Sequence, residues 1–247
     1  MHPTATFLAA GPSPLWFATR AGGTIALILL TATVVLGITV GGQYAPKRIA
    51  RFEISALHRN LSLLTLAFLV LHVLTTVADT YVNVTLLDVV LPFASSYRTL
   101  WLGLGTVAFD LLLAVLLTTA VRLRLGVRRW KTVHWLAYAS WPVALFHAAG
   151  TGTDTKVSLQ LLLYAACLLV VLAAVWWRLY RAGPGRLGMR LAMGAASALV
   201  PVVLIAFLTT GPLQPDWAQR ASGAAPHAAP TTHQPASADA TDRGTTE

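Results

Sequence analysis

Charge is scarce in this chain, and acidic charge is scarcest. Only 11% of its 247 residues are Asp, Glu, Lys or Arg, and nine acids stand against eighteen basic residues. A soluble domain usually carries about a quarter charged residues, so a water-facing surface over most of the chain is excluded. Cysteine is almost missing. The lone Cys167 rules out an internal disulfide, a cysteine-based metal cluster and a thioether-attached c-type haem; set in an apolar stretch, it reads as a packing residue. No GxGxxG follows a strand pattern, so a dinucleotide-binding domain is not expected. The opening MHPTATFLAAGPSPLW lacks the basic start and small-residue cleavage site of a signal peptide, and the first apolar run is expected to stay in the mature protein.

What the chain does have is apolar length. Hydrophobic residues make up 56% of it, with a mean hydropathy of +0.66. A membrane-spanning helix needs roughly 20 mostly apolar residues, and its backbone must satisfy its own hydrogen bonds. Six runs qualify, near 15–40, 54–78, 100–121, 133–149, 158–177 and 191–209. The fourth is short and contains Pro142. The ten residues VTLLDVVLPF (84–93), with Asp88 and Pro92, cannot span and read as a surface or re-entrant element. The expected fold is all-α: an integral membrane bundle of six transmembrane helices over residues 15–209. An external segment, 1–14, precedes it. A tail, 210–247, rich in Ala, Pro, Thr and Ser, follows and is expected to be disordered.

The basic residues fall in alternate connections. Lys47, Arg48 and Arg51 follow the first run, Arg122, Arg124, Arg128, Arg129 and Lys131 the third, and Arg178, Arg181, Arg186 and Arg190 the fifth. By the positive-inside rule these loops are cytoplasmic, which predicts a multi-pass protein of the cell membrane with both termini external. The lipid bilayer accounts for the basic excess, and nucleic acid is not an expected partner. No internal repeat of the inverted-transporter kind is visible.

Four of the seven histidines lie in apolar runs: His58 and His72 in the second, His134 and His147 in the fourth. The two runs cross in the same direction, so His58 and His134 share an inner level, and His72 and His147 an outer one. Fourteen helical residues rise about 21 Å and thirteen about 20 Å, which matches the levels in depth. Fourteen steps return to within about 40° of the starting direction, so His58 and His72 look out from nearly one face. Thirteen steps leave His134 and His147 about 140° out of phase. A kink at Pro142 is therefore predicted between them. Ionisable groups inside spans are costly and usually functional. Neutral imidazole suits iron, and a haem takes axial nitrogens from opposite faces, one from each of two facing helices. Two bis-histidine b-type haems are the expected cofactors.

The stretches FATRAGGTIALILLTATVVLGI (17–38), LHRNLSLLTLAFLVLHVL (57–74) and WKTVHWLAYASWPVALFH (130–147) resemble the ferric reductase-like transmembrane domain family, over about residues 15–180. That family includes ferric reductases, NADPH oxidase membrane domains and the haem-binding membrane subunit of a bacterial methionine sulfoxide reductase. The resemblance implies an oxidoreductase that moves electrons across the membrane. It assigns His58 and His134 to the inner haem and His72 and His147 to the outer. It sets Arg20, in FATRAGG, at an outer-haem propionate. By position, Arg59 beside His58 and Lys131 near the start of the fourth run either take the same role inside or snorkel to lipid headgroups. Phe68, Tyr138 and Trp141 lie between the levels, and aromatics there are more often packing than electron relays. Asp110, in the third run, would be costly if ionised and has no partner legible in the sequence.

The larger relatives carry a flavin- and nicotinamide-binding domain after the last shared helix. Here a short basic loop, a sixth apolar run and the tail stand in that place. Electrons must then enter from a separate cytoplasmic flavoprotein carrying FMN or FAD, from a membrane quinol, or from a flavin on the bundle, and leave to an external acceptor: ferric iron, oxygen or an exported redox protein. Two other readings use the same histidines. One is a non-redox transporter that titrates them or binds a metal such as zinc; the other is a haem-holding subunit that anchors an enzyme.

Overall fold

The computed structural model describes residues 13–41, 51–80, 84–151, 153–181 and 187–221. The expected external segment up to residue 12, the tail from residue 222, and His2, Lys47, Arg48, Arg186, His227 and His233 lie outside the described residues. Among those described, every regular element is helical: α1 (Pro14–Gly41), α2 (Arg51–Ala78), α3 (Leu86–Val90), α4 (Thr99–Ala120), α5 (Arg122–Leu125), α6 (Val127–His134), α7 (Leu136–Thr151), α8 (Ser158–Arg181), α9 (Leu187–Thr210) and α10 (Trp217–Ala221). A 3₁₀ turn, Thr153–Lys156, leads into α8.

Five of these, α1, α2, α4, α8 and α9, are long and apolar enough to cross a membrane. The fourth expected run does not form a single helix of that length. It is broken at Trp135, leaving α6 of 8 residues and α7 of 16. The break falls where the basic stretch VRRWKTVH gives way to the apolar LAYASWPVALFH. The kink expected at Pro142 is therefore displaced. Proline has no N–H to donate and its ring crowds the carbonyl four residues back, at Tyr138. The chain adjusts upstream of that point: the Tyr138 N–H reaches only three residues back, to the Trp135 carbonyl at 3.0 Å. Helix α7 then runs on through Pro142.

The hydrophobic core joins four helices. Leu27, Leu30, Val34 and Ile38 of α1 meet Trp141, Leu145 and Ala149 of α7, Tyr164, Cys167, Leu168 and Val171 of α8, and Leu204 and Leu208 of α9. Cys167 is thus a packing residue, as expected. Trp141 is one too, buried, with its indole N–H donated to Thr31 Oγ1 at 2.9 Å. Outside the core, Leu162 and Leu169 of α8 and Val202 and Ile205 of α9 are exposed, an apolar girdle that lipid would cover. Helix α3 lies against α4, where Thr106 Oγ1 donates to the Asp88 carbonyl at 2.7 Å. It does not cross the bundle, which agrees with a surface reading of 84–93.

Helices α2 and α4 stand to either side of this core. Helix α2 packs along α1, with small and hydroxyl residues at the seam, and α4 packs along α7. Thr19 Oγ1 donates to Thr75 Oγ1 at 2.9 Å, and Thr33 and Thr65 share a hydroxyl bond at 3.3 Å. In lipid there is little hydrophobic drive between helices, so close packing and such bonds hold the seam. No comparable packing joins α2 to α4, α6 or α7. Helices α1 and α7 pack together in the core, and beside that contact α2 faces α6 and α7 across a cleft.

Candidate functional site

All four intramembrane histidines meet across that cleft, in two pairs. The rings of His58 and His134 lie 6.3 Å apart, centre to centre, with planes crossed at 68°. Those of His72 and His147 also lie 6.3 Å apart, crossed at 75°. The pairing expected from depth alone is the pairing observed. The phase problem on the fourth run is eased by the break at Trp135. Each residue wound at 3₁₀ pitch turns about 20° further than an α-helical one, which swings His134 towards the face of His147.

Three of the histidines are held in the same way. His72 donates Nδ1–H to the Thr19 carbonyl at 2.8 Å, His58 to Thr33 at 3.1 Å, and His147 to Trp101 at 2.8 Å. A carbonyl only accepts, so each bond fixes the tautomer and leaves the Nε2 lone pair available to a metal. Four residues beyond each carbonyl stands a glycine: Gly23, Gly37 and Gly105. A Cβ built on Gly23 would lie 2.9 Å from His72 Cε1, on Gly37 3.4 Å from His58 Cε1, and on Gly105 2.5 Å from His147 Cε1. The missing side chain lets each ring reach a carbonyl already engaged in its own helix.

The fourth histidine departs from this pattern. Among the described residues His134 Nδ1 is buried with no hydrogen-bond partner, and its ring lies against Trp130, 5.0 Å away and 34° from parallel. Thirteen residues beyond Gly105, where a matching glycine would fall, α4 carries Thr118. Its hydroxyl donates to the Ala114 carbonyl at 2.7 Å. The α1–α2 hairpin and the α4–α7 arrangement thus repeat one design, complete in the first and half complete in the second.

The spacing of each pair suits one metal between two nitrogens. Metal–nitrogen bonds of about 2 Å, with ring centres about 1 Å further out on each side, put trans imidazole centres about 6 Å apart. No group of three or more His, Cys, Asp or Glu that could hold a metal occurs among the described residues. A tetrahedral zinc site draws three or four ligands from protein. Two-ligand sites fit a metal whose remaining positions are filled by its own macrocycle, as in haem.

The charged residues expected near these levels are placed less uniformly. The Arg20 guanidinium forms an ion pair with Asp154 on the 3₁₀ turn and lies 4.2 Å from the centre of the Trp16 ring. Arg59 and Lys131 are exposed. Phe68 is half-buried and Tyr138 packs against the core. Asp110 is half-buried on α4. The end near His58 and His134 is strongly basic: Arg122, Arg124, Arg128, Arg129, Arg178 and Arg181 stand there, and Arg178 donates to the Ile38 carbonyl at 2.9 Å. At the other end four acids, Asp79, Asp88, Asp154 and Asp216, balance Arg20, Arg98, Lys156 and Arg220.

A family model described as ferric reductase like transmembrane component matches residues 22–146. The match takes in His58, His72 and His134 and stops one residue before His147. No curated protein and no solved structure gives a match.

Proposed function

Because the chain belongs to the ferric reductase-like transmembrane component family, we propose that it is a membrane b-type cytochrome. It carries electrons from a cytoplasmic flavoprotein or a quinol to an external acceptor. The observation that carries this reading is the doubled histidine pair, each at 6.3 Å and set at opposite ends of one cleft. His58 and His134 are the proposed axial ligands at the basic, cytoplasmic end, and His72 and His147 those at the external end. A haem at each level would supply one-electron chemistry, its iron alternating between ferric and ferrous states.

The protein's own residues supply orientation and environment. The Thr19, Thr33 and Trp101 carbonyls hold three imidazoles in the Nε2-ligating tautomer and make them more basic ligands. With two histidines held at each level, a bound haem would have no position left for oxygen or substrate, which would suit outer-sphere electron transfer. Arg59 and Lys131 are the proposed propionate partners at the basic end. Arg20 is the proposed partner at the other, sharing its fork with Asp154. The basic end, with its exposed arginines, would steer an acidic donor protein.

His134 makes the two levels inequivalent, since its imidazole lacks the carbonyl acceptor that the other three have. Hydrogen bonding to ligands is among the levers that set haem potential. A potentiometric titration is expected to resolve two one-electron steps at distinct midpoints. A single component accounting for both haems would contradict that asymmetry.

Function is tested by reconstituting the purified protein in liposomes with ferricyanide trapped inside and dithionite added outside. Bleaching of the trapped ferricyanide is expected with the haem-loaded protein and is expected to be lost with His72→Ala. Equal rates for wild type, His72→Ala and protein-free vesicles would refute transmembrane electron transfer.

A further inference from the structure

At the end of the bundle that holds His72 and His147, the N-terminus of α4 opens into a cavity of about 380 Å³ lined by Ser96, Arg98, Thr99, Trp101, Trp217 and Arg220. Arg98 is its unusual member. It is the residue before the first turn of α4 and adopts a left-handed conformation, φ 43°. Only 3% of its surface is exposed. Its Nη1 donates to the Thr151 carbonyl at 2.6 Å and the Gly150 carbonyl at 3.4 Å, which caps the end of α7. Its Nε is buried with no hydrogen-bond partner, and it forms no ion pair among the described residues.

A buried guanidinium held by two neutral carbonyls and the Tyr97 ring, 5.4 Å from its centre, has no anionic partner among the described residues. Charges taken out of water are normally paired, and the side-on edge that includes Nε is the one that grips a carboxylate with two parallel N–H···O bonds. Three further features favour an anion here. The N–H groups of Thr99, Leu100 and Trp101 precede the first intrahelical bond of α4, made by Leu102 to the Arg98 carbonyl at 2.9 Å, and such free amides attract negative charge. Arg220 brings a second cation to the cavity rim. Trp101 and Trp217, with ring centres 5.5 Å apart, form an aromatic wall.

We propose that this cavity is a carboxylate-binding site, with Arg98 as its principal anchor and Arg220 as its second cation. It borders the outer histidine pair directly: the Trp101 carbonyl accepts the His147 Nδ1–H, and Gly150, three residues after His147, accepts from Arg98. The volume is enough for a whole small molecule. On the electron route proposed above, on which this inference rests, a carboxylate-bearing acceptor bound here stands at the exit. A propionate of the haem at that level offers the same chemistry. Binding makes and breaks no covalent bond.

The test is calorimetric titration of benzoate, with neutral benzamide as control, into the full-length protein purified from haem-replete and from haem-limited cells. Benzoate is expected to bind wild type and to bind Arg98→Gln at least tenfold more weakly. Arg220→Gln, an exposed substitution that leaves the α7 cap intact, is expected to weaken it severalfold; benzamide is not expected to bind. Binding to both preparations assigns the site to a ligand from solution. Binding to the haem-limited preparation alone, with weaker haem retention in Arg98→Gln, assigns it to a propionate. Benzoate affinity unchanged in both variants, equal binding of benzamide, or no binding to either preparation overturns the proposal. Haem content is read separately, so a colourless protein that still binds benzoate through Arg98 would count against the cytochrome and not against the cavity.

Discussion

Replacing His147 with alanine is expected to lower the haem content from two per chain to one. The haem held by His58 and His134 should remain, with its reduced-minus-oxidised spectrum intact. The two pairs sit at opposite ends of the cleft, on separate partners: His147 faces His72 at 6.3 Å, while His134 faces His58 at the same distance. His147 also lies next to Leu145 and Ala149, both fully buried, so truncation removes packing as well as a ligand. A large-to-small core change costs about 2–5 kcal/mol. Expression and detergent monodispersity therefore need checking beside the spectrum. His72→Ala, on the less embedded α2, serves as the second variant and should give the same spectrum. Loss of both haems in both variants would mean that the levels are not independent.

The second large effect comes from residues that touch no metal. Gly105→Ala is expected to expel the same haem as His147→Ala while leaving all four histidines in place. Its Cβ would lie 2.5 Å from His147 Cε1 and 2.6 Å from Nδ1. The ring would have to leave the Trp101 carbonyl that orients it. Overpacking of this kind costs about 1–3 kcal/mol, which is roughly 5- to 150-fold in affinity. Haem retention should be graded by the distance of approach: Gly105→Ala worst, Gly23→Ala next at 2.9 Å, and Gly37→Ala mildest at 3.4 Å. The neighbouring Gly22 supplies an internal control. A Cβ there meets His72 Cα at an ordinary 3.6 Å, so Gly22→Ala should keep both haems. Dissociation of haem to an excess of apomyoglobin, followed at the Soret band, measures each variant. If Gly22→Ala and Gly23→Ala lose haem alike, the glycine is not a window for the ring.

Much of this site was legible in the sequence, and the reason is periodicity. The pairing His58 with His134 and His72 with His147 follows from two spacings and the direction of two runs. A third spacing lay beside them: Gly23 and Gly37 on α1 are separated by fourteen residues, as His58 and His72 are on α2. Two antiparallel helices in register must meet at matched intervals, so that coincidence already marked the carbonyls at Thr19 and Thr33. The break at Trp135 was harder to read. Proline identifies the carbonyl it displaces, four residues back, but where the chain yields depends on the change from a basic to an apolar stretch and on the packing of Trp141 against α1. That is tertiary context, and it turned the expected fourth span into two helices.

Arginine was the least legible residue type. Arg20 stands in a stretch that resembles the family, yet its guanidinium meets Asp154, a residue more than a hundred positions away. Arg98 has the local sequence context of an ordinary loop cation, because nothing near it in the chain shows that the last carbonyls of α7 will meet it. Burial of a long side chain at a helix terminus depends on which ends meet, and periodicity carries no information on that.

The haem content of the two histidine pairs is the most direct measurement of a transmembrane cytochrome. Protein purified from haem-replete cells, assayed by the pyridine haemochrome method against quantitative amino-acid analysis, is predicted to contain two b-type haems per chain. Both should be low-spin in the oxidised and reduced forms, as two nitrogen ligands at each iron require. A colourless preparation, or one haem that survives both His72→Ala and His58→Ala, would contradict it.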